Sequence, residues 1–337
     1  MTARGPGAGA GCKSVQIFDR AVSVAGSDED DYFRHIVDGS DLTDPVLRAL
    51  RPHVGDDGWC FDVGANIGLY SLGLAALAPR GRVFAFEPSP GSAEFLRANL
   101  RRNQAENVEV FATALADREG TVSFHDVPFF TAGSFTAEEG TWLGSDAVGS
   151  TLVQVPCTTL DAFVEDHAVE RVDLLKIDVE GAELAVLEGG VKTLAAHRPT
   201  VVMEFNSFAF TLHAGTLPQM ALTRIMATFP HVFVIDRGDG SLARLRTPAQ
   251  AYQFLYVNGI YGPTDNLLCS FTDLDVERDF VLPDAVAGTA TPDSVAAARE
   301  LEAMRRTLSW RVTAPLRAAR SCLDRMPTVG RWLARER

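Results

Sequence analysis

The residues Asp62-Val-Gly64-Ala-Asn66-Ile-Gly68 join a strand-like run, "WCFDV", to a helix-like one, "IGLYSLGLAALA". Gly64, Asn66 and Gly68 would each weaken a strand or a helix. The segment is therefore a turn that needs bare backbone. A glycine turn after a strand points backbone N–H groups and a helix N-terminus at a ligand, as in the first turn of a doubly wound α/β sheet.

The rest of the chain agrees with such a sheet. "WCFDV", "RVFAF", "LLKIDV" and "TVVMEF" are apolar on both faces, the pattern of strands inside a parallel sheet covered by helices. Helix-like segments follow them, and "SPGSAEFLRANLRRN" opens with Ser and Pro. "NVEVF", "HVFVI" and "NLLCSF" complete seven strands. Residues 118–160 break the alternation and read as an insertion beside the C-terminal edge of the sheet, where ligands bind in open α/β folds. The expected organisation is a disordered start over 1–14, a strand pair and helix leading in over 15–54, an α/β domain over 55–275, and a linker with a basic helical tail over 276–337. Apolar residues at 46% supply material for a core.

A net charge of −13 argues against a nucleic-acid partner. The five cysteines are far apart without a CxxC spacing, which fits a reducing compartment and argues against both a disulfide framework and a zinc site. The N-terminus has no apolar signal core, and no run of ~18 apolar residues occurs. These features predict a cytoplasmic protein. Its tail differs from its body: residues 291–337 carry ten arginines against five acids. Within it, "LSWRVTAPLR" resembles a short segment at the ends of bacterial enzymes that build surface polysaccharides. The tail reads either as a helix packed on the body or, through 300–337 with Trp310 and Trp332, as a dock for the inner face of an anionic membrane or a glycan-assembly partner.

The glycine turn lacks the G-x-G-x-x-G of a dinucleotide site, and Asp62 would face a pyrophosphate with like charge. An acid there suits a cationic ligand, and S-adenosylmethionine carries an ammonium and a sulfonium. Glu87, ending the second strand in "FAFEPSP", can accept both hydroxyls of a ribose, and Ser89 belongs to the same cofactor group. In "LLKIDVEGAEL", Asp178 ends the strand beside the first, and alternation puts Glu180 on its side. Glu183 reads better as a helix cap.

Together "DVGANIGLYS", "FAFEPSP", "ALAD", "TTLDAF" and "LLKIDVEGAELAVLEGG" resemble the FkbM-type S-adenosylmethionine-dependent methyltransferases over roughly residues 45–275. The resemblance implies a class I methyltransferase (Rossmann-like) fold: a seven-stranded, mostly parallel sheet with an antiparallel last strand. It implies methyl transfer to a hydroxyl of a sugar, surface polysaccharide or glycosylated natural product. It places Asp62, Gly64, Asn66 and Gly68 at the methionine end of the cofactor, Glu87 at the ribose, Asp117 near the adenine, and Asp178 and Glu180 at the reaction end. Asn66 replaces the usual second glycine, and Asn tolerates the left-handed backbone.

Such an enzyme must align an oxygen with the activated methyl and take its proton. Asp178, Glu180 and Glu204 are the catalytic candidates. Asn206 and His213 are read as substrate-binding, with His213 a weaker candidate for the proton. No metal is expected; the alternative would be Mg²⁺ on Asp178, Glu204 and Asn206. Two rival functions remain open: an NAD-dependent oxidoreductase, and a methyltransferase fold without turnover that is recruited through its tail.

Overall fold

The computed structural model describes residues 10–128, 131–136, 150–262 and 264–282. Strands Ala10–Ile17 (β1) and Arg20–Ser27 (β2) form an antiparallel hairpin. Pairing begins at Ala10, opposite Ser27, so residues 10–14 belong to a strand and not to a disordered start. The hairpin is pinned from below. Val15, Ile17, Val22 and Val24 are buried, and the Asn99 side chain bonds both backbone groups of Ala25 at 2.6 and 2.9 Å. Two short capped helices follow, Asp31–His35 (α1) behind Asp30 and Pro45–Leu50 (α2) behind Asp44.

The α/β body then runs Trp59–Val63 (β3), Leu69–Leu77 (α3), Arg82–Phe86 (β4), Pro90–Arg102 (α4) and Val108–Phe111 (β5). Ala114–Leu115 (β6), Gly120–Asp126 (β7), Phe135–Thr136 (β8) and Thr151–Thr158 (β9) leave it to form a separate four-stranded sheet, in the order β6-β9-β7-β8. Residues 129–130 and 137–149 of this insertion lie outside the described residues. The body resumes with Leu160–Asp166 (α5), Leu174–Ile177 (β10), Glu183–Glu188 (α6), Val191–His197 (α7), Thr200–Asn206 (β11), Ser207–Leu212 (α8) and Pro218–Thr228 (α9). It ends with His231–Ile235 (β12), Leu242–Leu245 (β13), Pro248–Tyr261 (α10) and Thr264–Ser270 (β14).

The main sheet has eight strands, in the order β13-β12-β14-β11-β10-β3-β4-β5, where the sequence predicts seven. The parallel centre and the antiparallel β14 are as expected. The extra strand, β13, pairs antiparallel to β12. Its segment "LARL" carries a charge at an inward position, which hides it from an apolar pattern. Arg244 is buried there because it ion-pairs with Asp273 and meets His231 Nδ1 at 3.1 Å.

Burial on both faces explains the apolar strands. Phe61 stacks on Phe84 at 4.7 Å, and Phe163 of α5 meets Phe86 edge-on at 4.7 Å. The basic tail from residue 283 and its segment "LSWRVTAPLR" lie outside the described residues, as do residues 1–9. Among the described residues no helix is long and apolar enough to cross a membrane.

Candidate active site

The turn after β3 takes the backbone that its composition demands. Gly64 has φ +78°, Asn66 +48° and Gly68 +96°. A Cβ on Gly64 would overlap the Asp178 carbonyl oxygen, so the close approach of β3 to the end of β10 requires glycine. The amides of Gly64 and Ala65 both donate to the Phe86 carbonyl at 3.0 Å, tying the turn to the end of β4.

Glu87 stands beside this turn, 6% exposed. Its Oε2 accepts the Asn66 amide and its Oε1 the Ser89 amide, each at 2.8 Å. Burial pushes its carboxyl up to about 7 although both amides favour the charged form. Each oxygen keeps a second lone pair for a ribose hydroxyl. Ser89 caps α4, and its hydroxyl donates to Asp126 of β7 at 3.0 Å, which brings the insertion against the same corner.

Beneath the turn lies a residue to which the sequence assigned no role. Lys176 is buried in β10, and strand register sets it opposite Asp62. Its Nζ lies 3.0 Å from Asp62 Oδ1, 2.8 Å from the Gly64 carbonyl and 3.7 Å from Asp178 Oδ2. Asp62 is 0% exposed, and its Oδ2 accepts from Ser71 at 2.6 Å. The expectation that Asp62 faces the ligand is therefore corrected: both its oxygens are engaged under the turn, holding it in place. A buried charge needs such a partner. A lysine three positions into a strand next to the acid's own strand was the available signal.

At the C-terminal ends of β10 and β11, Asp178, Glu180 and Glu204 each offer an oxygen, all within 4.8 Å of one another. The reason differs from the expected alternation. β10 ends at Ile177, and Glu180 is itself left-handed, with φ +52° before Gly181 at +108°. Glu183 holds that turn, its Oε1 accepting from Val179 and Gly181 at 3.2 and 3.1 Å. Burial pushes Glu180 and Glu204 well above the ordinary carboxylate range, and the Asp178 charge adds to it. Asp178 is also raised by burial, with Lys176 pulling it back.

Asn206 does not stand free for a sugar. Its Oδ1 caps α8 by accepting from Phe208 and Ala209, both at 3.1 Å, and its Nδ2 donates to Glu180 Oε2 at 3.4 Å. The cation set open to this site is thus Asp178, Glu180 and Glu204, with Glu180 replacing the Asn206 expected from the sequence. His213 lies against the same turn, its Nδ1 2.8 Å from the Glu180 carbonyl. Asp117 stands apart: it is exposed before β7 and pairs with the adjacent Arg118 at 3.2 Å.

The residues present fit an adenosine-bearing methyl donor. They supply a glycine cradle, a buried acid, Glu87, held by two amides, and a buried Asn66 Oδ1 with no hydrogen-bond partner among the described residues.

Residues 62–231 match the family model described as a methyltransferase FkbM domain. The chain is 27% identical to the 2-O-methyltransferase NoeI of Sinorhizobium fredii, over 61% of this chain and 80% of that one. It is 29% identical to the hexuronic acid methyltransferase AglP of Haloferax volcanii, over 52% of this chain and 64% of that one. It is 35% identical to the AMB antimetabolite synthetase AmbE of Pseudomonas aeruginosa over 44% of this chain, a match that spans only 8% of that much longer protein.

Proposed function

This chain belongs to the FkbM methyltransferase family, whose methyl donor is S-adenosylmethionine, and on that premise we propose that it methylates a hydroxyl oxygen of a sugar, free or within a glycan or glycosylated natural product. Membership sets aside the oxidoreductase alternative. The observation that carries the reading is the pairing of a prepared ribose acid, Glu87, with the carboxylate cluster Asp178, Glu180 and Glu204 at the other end of the same turn. The sugar is favoured by the hexuronic acid in the description of one relative. When bound, the donor supplies a methyl group already activated by the sulfonium. The protein's task is then to hold the acceptor oxygen in line with it. In this reading the carboxylates stand around the acceptor hydroxyl and the donor's positive end.

Titration calorimetry with S-adenosylmethionine tests the donor site. Glu87→Ala should weaken binding by about 1–3 kcal/mol, the range for a hydrogen bond to a charged group left unmade. In the wild type, affinity should fall as pH drops below about 7, because protonation of Glu87 removes one acceptor. Unchanged affinity in a folded variant would remove Glu87 from the ribose site. The arginine-rich tail extends the proposal to a place of action, the surface of an anionic membrane. The full-length chain should bind anionic liposomes in low salt and release them in high salt. A chain ending at residue 299 should not bind, and equal binding by both forms would dismiss the tail.

A further inference from the structure

His213 is the residue just past α8, and its ring is held on two sides. Nδ1 lies 2.8 Å from the backbone carbonyl of Glu180. A carbonyl has no hydrogen to give, so Nδ1 carries the proton, and the neutral ring keeps a bare Nε2. Phe135 of β8 covers one face, with ring centroids 3.7 Å apart and planes within 6°. His125 of β7 stacks on the other side of the cluster, 4.7 Å from Phe135. The ring is thereby fixed between α8, the turn after β10 and the insertion. Nε2 makes no hydrogen bond among the described residues.

The groups around it favour the neutral form. Burial does most to hold His213 below the ordinary histidine value, the charge of His125 adds to this, and the Glu180 carbonyl opposes it. Two of the nearby carboxyls already have partners: Asp178 Oδ2 faces Lys176 Nζ at 3.7 Å, and Glu180 Oε2 accepts from Asn206 Nδ2 at 3.4 Å.

We propose that His213 Nε2 is the general base that accepts the proton of the acceptor hydroxyl. The inference rests on the methyltransferase reading above. The acceptor oxygen forms the new C–O bond to the methyl, the electron pair of the broken C–S bond stays on sulfur as a neutral thioether, and the O–H proton passes to Nε2 and then to solvent. The carboxylate cluster orients the hydroxyl, and His213 takes its proton.

The test uses His213→Asn, whose side-chain amide can still donate to the Glu180 carbonyl but has no basic nitrogen. Full-length protein labelled with ¹⁵N-histidine and saturated with S-adenosylhomocysteine is followed by NMR, the variant identifying the His213 signals. At pH 7 the ring should be neutral with its proton on Nδ1. Release of S-adenosylhomocysteine from S-adenosylmethionine is measured with methyl glucuronide, or with water as the acceptor where the glycoside is not used. The variant should be about 10²–10⁴-fold slower, with affinity for S-adenosylhomocysteine within about twofold of the wild type. The wild-type rate should fall on the acid side of the ordinary histidine value near 6.5, and the variant should lack that limb. A proton on Nε2, a cationic ring at pH 7, a variant of normal rate, or a slow variant that keeps the acid limb would each overturn the assignment. Failure of the wild type to bind S-adenosylhomocysteine would fell the donor assignment itself, and calorimetry reads that separately.

Discussion

Lys176→Met should destabilise the protein by about 3–5 kcal/mol, the cost of leaving a buried charge without its partner. Removing the ammonium strands Asp62, which is 0% exposed, and leaves the Gly64 carbonyl without its 2.8 Å donor. Burial by itself would discharge Lys176. The carboxylates of Asp62 and Asp178 more than offset that and raise its pKa, so it is charged at neutral pH. Against a typical total of about 5–15 kcal/mol, the loss is large enough to lower the urea midpoint clearly. A double variant, Lys176→Met with Asp62→Asn, should recover part of it, because no unpaired charge is then buried. A single variant as stable as the wild type would show that the pair does not hold the turn.

Asp178→Asn should lower methyl transfer by about 10²–10³-fold, the scale on which loss of one positioned electrostatic group acts. Asparagine keeps the shape, and the backbone contacts are untouched: the residue 178 amide still donates to the Val63 carbonyl at 3.0 Å, and the 178 carbonyl still abuts Gly64. What is lost is a negative oxygen among the three that meet within 4.8 Å. The measurement is initial-rate release of S-adenosylhomocysteine, beside donor affinity by calorimetry. A rate fall with affinity held within about tenfold assigns Asp178 to the reacting end. Weakened binding at a normal rate would make it a cofactor residue only, and no change in either would reduce it to strand-end packing.

Several features were legible before the fold was known because they are local. Three positive φ angles in the turn follow from Gly64, Asn66 and Gly68. The helix cap at Ser89 follows from residue type and position, whereas Glu183, expected as a cap, lies inside α6 behind Ala182 and accepts from the amides of the preceding turn instead. Asn206, expected at the substrate, has a partner in the fold that its residue type alone does not reveal. Its cap on α8 competes with any ligand role, and the sequence does not say which partner its side chain meets first. Glu180 reached the expected cluster through a left-handed turn, since β10 stops three residues before it.

The amino-acid sequence by itself determined the alternation of buried strands and helices, the bare-backbone turn at residues 64–68, and the acid at the end of the second buried strand. Each is written in periodicities and propensities that act over a few residues. Only the tertiary structure decided how the acids are used. Register in the parallel pair of β3 and β10 sets Lys176 opposite Asp62, 114 positions away, and turns an expected ligand contact into a buried support. The packing of α8 against the turn after β10 brings His213 Nδ1 to 2.8 Å from the Glu180 carbonyl. Pairing with Asp273 lets Arg244 enter an eighth strand. In all three cases the deciding energy is that of a polar group taken out of water. That energy is set by the partner it meets there, and the partner comes from a distant part of the chain.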